Sequence, residues 1–201
     1  MIDAKDMLQR AIGFHGHKCP AMPLGLRAAE TAMNKLGVER TGGKDLLAIL
    51  ELGEDHCAHC YADGVQMLTG CTFGKGNIRQ LGYGKFGLTL VDRKTSRAVR
   101  VVPRTEVQLE TQKTDFFQKY RMKGVPPTEV PDEVVQPLID KVMAAPAEAL
   151  FKIGEVQEYR EERKAESFQT FVCEECGELV VETYGRLKQG KRVCIPCAER
   201  A

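Results

Sequence analysis

Apolar residues recur with helical spacing in two stretches near the start of this chain. In "IDAKDMLQRA" they fall at Ile2, Met7, Leu8 and Ala11, and in "PLGLRAAETAMNKLG" at Leu24, Ala28, Ala29, Met33 and Leu36, with Gly37 as the stop. The pattern predicts two amphipathic helices joined by "GFHGHKCPAM". The period then changes: "LLAILEL" (Leu46 to Leu52) is an apolar run of strand length, and "ADGVQMLTG" is a helix ended by Gly70. "FGLTLVDRKTSRAVRVVP" alternates on either side of a polar turn and predicts a hairpin ending at Pro103. Beyond it, "TEVQLETQKTDFFQKYRMKG" and "PDEVVQPLIDKVMAA" predict helices separated by "GVPPTEVP", with Pro137 in the first turn or two of the second, and "LFKIGEVQEY" predicts a last strand. Helices and antiparallel strands alternate without a regular βαβ repeat, so the expected class is α+β.

The chain has 201 residues, 43% of them hydrophobic and 28% charged, enough for one ordinary core plus a small appendage. A net charge of +1 supplies no general field for nucleic acid or an acidic membrane, so any such role must rest on a local feature. The first residues mix acids and bases, and no uncharged apolar run approaches the roughly 18 residues a membrane span needs. The expectation is a cytoplasmic protein with no membrane partner, whose eight cysteines are metal ligands or redox thiols rather than a disulfide framework.

The cysteines occupy two districts: Cys19, Cys57, Cys60 and Cys71 in the first third, and Cys173, Cys176, Cys194 and Cys197 in the last thirty residues. Between the districts lies the charged stretch "YREERKAES". This predicts a core domain over 1–158, a linker over 159–167 and a second module over 168–201.

The second module reads Cys-x2-Cys, seventeen residues, Cys-x2-Cys. Two such knuckles place four thiolates about 2.3 Å from one zinc ion, and a module this small is folded by its metal. Gly177 follows the first pair, a hairpin is expected between the pairs, and "CAERA" after the second favours a helix; together they predict a treble clef. The competing ligand chemistries are rubredoxin-type iron and a redox dithiol pair. Arg186, Lys188, Lys191 and Arg192 make the loop basic but are opposed by Glu174, Glu175, Glu178 and Glu182, so nucleic-acid binding is not favoured over a solvated surface. The module resembles the terminal zinc finger of the DksA/TraR proteins.

All four histidines sit beside cysteines of the first district, in "FHGHKCP" and "EDHCAHCYADG". Cys19 precedes Pro20, a good first helical residue, so its sulfur would lie at the positive end of a helix, where thiolate is favoured. His15 and His17 point the same way if their segment is extended. In a helix beginning at the second cluster, Cys57 and Cys60 share a face, as do His56 and Cys60. Imidazole and thiolate at these spacings suit zinc, nickel, copper or iron. A metal site from His15, His17, Cys19, Cys57 and Cys60, a reactive thiolate, and a capped turn with an inert cysteine all remain open on the residues alone. Asp55, Asp63 and Lys75 are polar candidates without an assigned step, and Cys71 and Lys75 in "TGCTFGKGN" are expected to line the same cleft or to be core and surface. That loop departs from a Walker phosphate loop in its spacing and in Gly76 after Lys75, and "GYGKFG" leads into a strand rather than a helix, so neither nucleotide motif is adopted.

The stretches "FHGHKCPAMPLGLRAAETAMNKLG" and "LTGCTFGKGN" resemble the core domain of the FmdE-like family, named for a component of formylmethanofuran dehydrogenase, over about residues 12–155. The resemblance implies an α+β fold, a homodimer, and in some members an added C-terminal treble-clef zinc finger. It places Cys60, Asp63, Val65 and Gln66 on the family pattern Asp-x-Cys-x-x-Asp-x-Ile-Gln, while His56, Cys57 and His59 go beyond that pattern. It also implies a core pocket holding a second transition metal, near a subunit interface, with catalytic candidates among Cys19, Cys60, Asp63 and Lys75. The expected function is a subunit or accessory of molybdenum or tungsten one-carbon oxidoreduction, with oxidoreductase subunits as partners and the pterin chemistry on those subunits. The alternative is a non-catalytic metal- or ligand-sensing adaptor whose finger binds protein or nucleic acid. The resemblance assigns no reaction to this chain.

Overall fold

The computed structural model describes residues 3–54, 59–161 and 166–200. The chain divides into two compact units, Met1–Arg160 and Glu161–Ala201.

In the first unit, helix α1 (Ala4–His15) is capped at its start by the Asp3 side chain accepting from the Asp6 amide, and ends at Gly16 with φ of 88°. Helix α2 (Ala21–Leu36) closes at Gly37 with φ of 69°, the stop its apolar spacing predicts. Strand β1 (Leu46–Leu50) is buried along its whole length. Its alternate residues Leu46, Ala48 and Leu50 join the main core with the helices, while Leu47 and Ile49 pack with Val91 and Ala98 on the other face. That explains an unbroken apolar run in a sheet that is otherwise antiparallel.

Helix α3 (Cys60–Thr69) follows, then strands β2 (Ile78–Gln80), β3 (Leu88–Asp92) and β4 (Arg97–Pro103). After helices α4 (Thr105–Gln112), α5 (Asp132–Ala144) and α6 (Ala147–Leu150) come strands β5 (Phe151–Ile153) and β6 (Gln157–Glu158). The sheet order is β2-β1-β3-β4-β5, with β6 also on β4. Every pair is antiparallel except β1 with β2, a parallel edge that the hydrophobic pattern does not disclose. The class is α+β.

Two contacts set the positions of the helices around the later site. Helices α2 and α3 cross where both carry glycine: a Cβ on Gly25 would lie 2.0 Å from the Tyr61 carbonyl oxygen, and one on Gly64 would lie 2.1 Å from that of Met22. No larger residue permits backbones to approach so closely. Arg27 of α2 donates from Nη1 and Nη2 to the carbonyls of Met143 and Ala145, at 2.9 and 2.8 Å, and so caps the C-terminus of α5.

Residues 105–124 do not form the single helix their spacing predicts. Helix α4 stops at Gln112; the Thr114 hydroxyl donates to the Thr111 carbonyl at 2.6 Å, and Gln118 Nε2 donates to the Gln112 carbonyl at 2.7 Å. Side chains here compete for the carbonyls that a continuing helix would use. The chain resumes as a π turn over Phe116–Tyr120 and a tight 3₁₀ turn over Arg121–Lys123. Pro137 is the sixth residue of α5 and so falls in its second turn, within the span expected for it. The expected last strand is two short ones, β5 and β6.

The second unit is two hairpins and a short helix. Strands β7 (Thr170–Val172) and β8 (Leu179–Val181) pair, as do β9 (Gly185–Lys188) and β10 (Lys191–Cys194), and α7 (Ile195–Glu199) follows. Segment Leu179–Val181 therefore pairs backward across the first knuckle, and only Gly185–Cys194 forms the hairpin expected between the cysteine pairs. The core of this unit is Cys173, Val193, Cys194 and Cys197, with Val180 and Ala198 against it. Arg192 stacks over Phe171 with its guanidinium carbon 4.2 Å from the ring centroid.

Candidate metal centre and adjoining cavity

Helix α1 ends on His15, and the left-handed turn at Gly16 sends the chain back so that His17 comes alongside. The two rings lie 4.1 Å apart and tilted by 45°, with their Nε2 atoms 3.2 Å from each other. They face the same place because a helix end is followed by a turn, whereas an extended segment is what the sequence suggests. Cys19 stands just before α2 and Cys60 opens α3, so the glycine-mediated crossing of those helices brings both thiols to the histidines. Cys19 Sγ is 3.8 Å from His15 Nε2, and Cys60 Sγ is 3.9 Å from His17 Nε2. One ligand atom from each of His15, His17, Cys19 and Cys60 lies within 4.8 Å of all the others.

The chemistry of this set fits a borderline-soft divalent metal. Cys19 is held below the ordinary thiol range by a hydrogen bond from the Cys60 thiol, against the effect of burial and assisted by the amides of Met22 and Ala21 at the start of α2. Cys60 is pushed up, first by that shared hydrogen bond and then by burial and the Cys19 charge. The shared hydrogen bond thus favours the thiolate on Cys19 and the proton on Cys60, and metal binding would displace that proton. Burial, His15 and the Arg121 charge lower the titration of His17 and favour the neutral ring that ligates.

Asp63 supplies the support. Its Oδ2 lies 2.7 Å from His15 Nδ1, which leaves Nε2 directed at the cluster, and Gln66 Nε2 donates to its Oδ1 at 3.0 Å. A carboxylate behind the remote ring nitrogen fixes the tautomer and strengthens the ligand. Asp63 thereby stands behind the His15 ring, on the side away from the cluster.

The other candidates go elsewhere. His56, Cys57 and Asp55 lie outside the described residues. His59 Nε2 is 2.6 Å from the Gly53 carbonyl oxygen. Lys75 reaches the Gly42 carbonyl at 3.4 Å, and its loop is held by buried Asn77, which accepts from the Thr72 amide and donates to the Leu46 carbonyl. Cys71 is fully buried and its thiol is pushed up by that burial. Neither Cys71 nor Lys75 lines the cavity at the cluster.

That cavity measures about 390 Å³ and has Cys19 and Cys60 in its lining. Leu24, Phe86, Phe116, Phe117, Met122 and Val142 make it largely apolar, with Arg121, Gln108, Thr111 and Gln112 as its polar groups. The sequence signal for this wall is "FFQKYRM", which reads as ordinary helix until its break is seen.

The C-terminal set is closed. Cys173, Cys176, Cys194 and Cys197 also place their sulfurs within 4.8 Å of one another, and three of them are buried. Cys173 is lowered to about 6, first by the Cys176 amide, and also by the amides of Cys194 and Glu175, with burial opposing. Cys197 is pushed up to about 12 by the neighbouring Cys194 thiol and by burial. Amides aimed at a sulfur, and Gly177 turning at φ of 75°, make the knuckle of a zinc finger.

Comparison with known proteins gives consistent relatives for both units. Residues 166–201 match the prokaryotic dksA/traR C4-type zinc finger. A protein of Archaeoglobus fulgidus described as a probable S-adenosyl-L-methionine-binding protein is 36% identical over 206 residues, covering 96% of this chain and 52% of that protein. The chain thus spans about half the length of this curated relative. A crystal structure of a tungsten formylmethanofuran dehydrogenase FmdE-like protein from Syntrophus aciditrophicus superposes with a TM-score of 0.66 at 21% identity, covering 98% of this chain and 92% of that one, and so shares the fold. Residues 14–152 match the model described as FmdE, molybdenum formylmethanofuran dehydrogenase operon, and with more than half of its length accounted for in this way the chain belongs to the FmdE family, with a C4 zinc finger following its core.

Proposed function

We propose that the FmdE core is a metal-binding accessory of molybdenum- or tungsten-dependent one-carbon oxidoreduction, holding a second transition metal on His15, His17, Cys19 and Cys60. The observation that carries this reading is the opening of the two core thiols onto an apolar cavity, in contrast to the closed zinc set of the finger. A closed four-ligand site is a scaffold, whereas ligands that border a cavity can exchange or present what they hold. When bound there, a zinc-like ion supplies Lewis acidity and a site for a soft donor. The chain's own residues orient the His15 imidazole through Asp63, keep bulk water from the thiols with the phenylalanines, and place the Arg121 charge nearby. Family membership supports the link to the dehydrogenase.

The test is anaerobic purification of the tagged chain from its native cells, with molybdenum and tungsten measured by plasma mass spectrometry in the eluate. Stoichiometric molybdenum or tungsten that disappears in the Cys19→Ser, Cys60→Ser double variant is expected. Its absence in both samples sinks the accessory role while leaving metal binding itself untouched.

A second reading, a ligand-sensing adaptor, draws support from the same cavity. The name of the Archaeoglobus fulgidus relative makes S-adenosyl-L-methionine the first compound to try in that reading. Because only about half of that relative corresponds to this chain, the property enters here as a proposal alone.

A further inference from the structure

The charges along the cavity wall are unbalanced. Of its sixteen lining residues, Arg121 alone is charged at neutral pH apart from the thiol pair, and no carboxylate lines it. One guanidinium nitrogen, Nη1, donates to the Val125 carbonyl at 2.5 Å, and no described carboxylate pairs with the rest of the fork. Arg121 is half-buried, so part of its guanidinium faces the cavity beside apolar side chains and can pair with an anionic group that enters it.

The backbone that carries Arg121 gives an independent indication. Its amide is shared between the carbonyls of Phe117, four residues earlier, and Phe116, five residues earlier, the latter closing a π turn. This wider turn sets Phe116, Phe117 and Arg121 together on the cavity, where α-helical spacing would offer Tyr120 instead. Such turns are rare and recur at functional sites.

We propose that the cavity binds a small organic monocarboxylate with an apolar or aromatic body, its carboxylate paired to the free edge of the Arg121 guanidinium and its body among Phe86, Phe116 and Phe117. The planar fork matches a carboxylate in two-point contact. A single cation balances one negative charge and leaves a phosphate dianion undercompensated. The volume suits a small metabolite. The thiols lie at one end of the cavity, so a bound acid sits beside whatever metal the cluster holds. The inference deepens the metal-centre reading, and rests on it only for what lies at that end.

The test is isothermal titration of the full zinc-loaded chain with 3-phenylpropionate, its neutral amide 3-phenylpropionamide, and phenylphosphate, with metal content measured on the same samples. The carboxylate is expected to bind about tenfold or more tighter than the amide, the discrimination typical of a hydrogen bond to a charged group. That preference should vanish in Arg121→Met and be partly kept in Arg121→Lys, which retains the charge without the fork, with circular dichroism unchanged in both. Equal binding of acid and amide, no binding of either, a preference that survives in Arg121→Met, or tighter binding of phenylphosphate would overturn the proposal. A preserved acid preference in protein lacking core metal supports this inference and sinks the metal reading. Core metal without acid preference does the reverse.

Discussion

At the scale of single residues, the arrangement depends on Asp63 as much as on the ligands it supports. Its carboxylate holds His15 by Nδ1 and is itself held by Gln66, so the imidazole offers Nε2 without having to be ordered by the metal. Asp63→Asn keeps the size and removes the charge. Metal affinity of the core should then fall by about 10- to 100-fold, as measured by competition with a chromophoric chelator, while the fold and the zinc of the finger stay as they were. An unchanged affinity would mean that Asp63 serves packing alone. That His15, His17, Cys19 and Cys60 gather was suggested by the sequence because histidine and cysteine carry their chemistry in their types, while Cys57 of the expected set lies outside the described residues. Which residue orients which was not, since Asp63 and His15 are separated by 48 positions and meet only through the packing of α1 against α3.

At the scale of elements, the crossing of α2 and α3 makes the site. Cys19 and Cys60 stand at the starts of these two helices, and their separation is set by how closely Gly25 and Gly64 let the backbones approach. Gly64→Ala places a methyl group against the Met22 carbonyl, and the helices must part. Stability should drop by about 2–3 kcal/mol in urea unfolding, with weaker core metal binding accompanying it. Full stability with native metal content would show that the crossing tolerates a wider spacing than its geometry indicates.

Such glycines were hard to read in advance, because a glycine in a helical pattern looks like a mere loss of propensity until the neighbouring helix is in place. The same holds for residues 113–124. Their apolar spacing continues that of α4, yet Thr111, Thr114 and Gln118 make side-chain bonds to carbonyls, and that competition broke the expected helix. Helix stops such as Gly37 and Gly70 were legible because a left-handed C-cap is a local requirement, satisfied without reference to the rest of the fold.

At the scale of the whole molecule, the chain carries two sets of four histidine and cysteine side chains that could hold a metal, and they differ in surroundings. The finger's set belongs to a small unit whose core is largely the cysteines themselves, as expected of a module that its metal folds. The core's set lies within a unit that has a full hydrophobic core of its own and borders a cavity. Losing the finger's metal should therefore unfold that unit, and losing the core's metal should leave its unit folded.

The measurement that tests this most directly is plasma mass spectrometry of the anaerobically purified full chain, alongside its Cys60→Ser and Cys173→Ser variants, with each sample's fold followed by circular dichroism. We expect two metal ions per chain, one lost with Cys60→Ser without loss of the core fold and the other lost with Cys173→Ser. A single ion per chain that is indifferent to Cys60→Ser would contradict the account and leave His15, His17, Cys19 and Cys60 as a thiol and imidazole cluster without a metal.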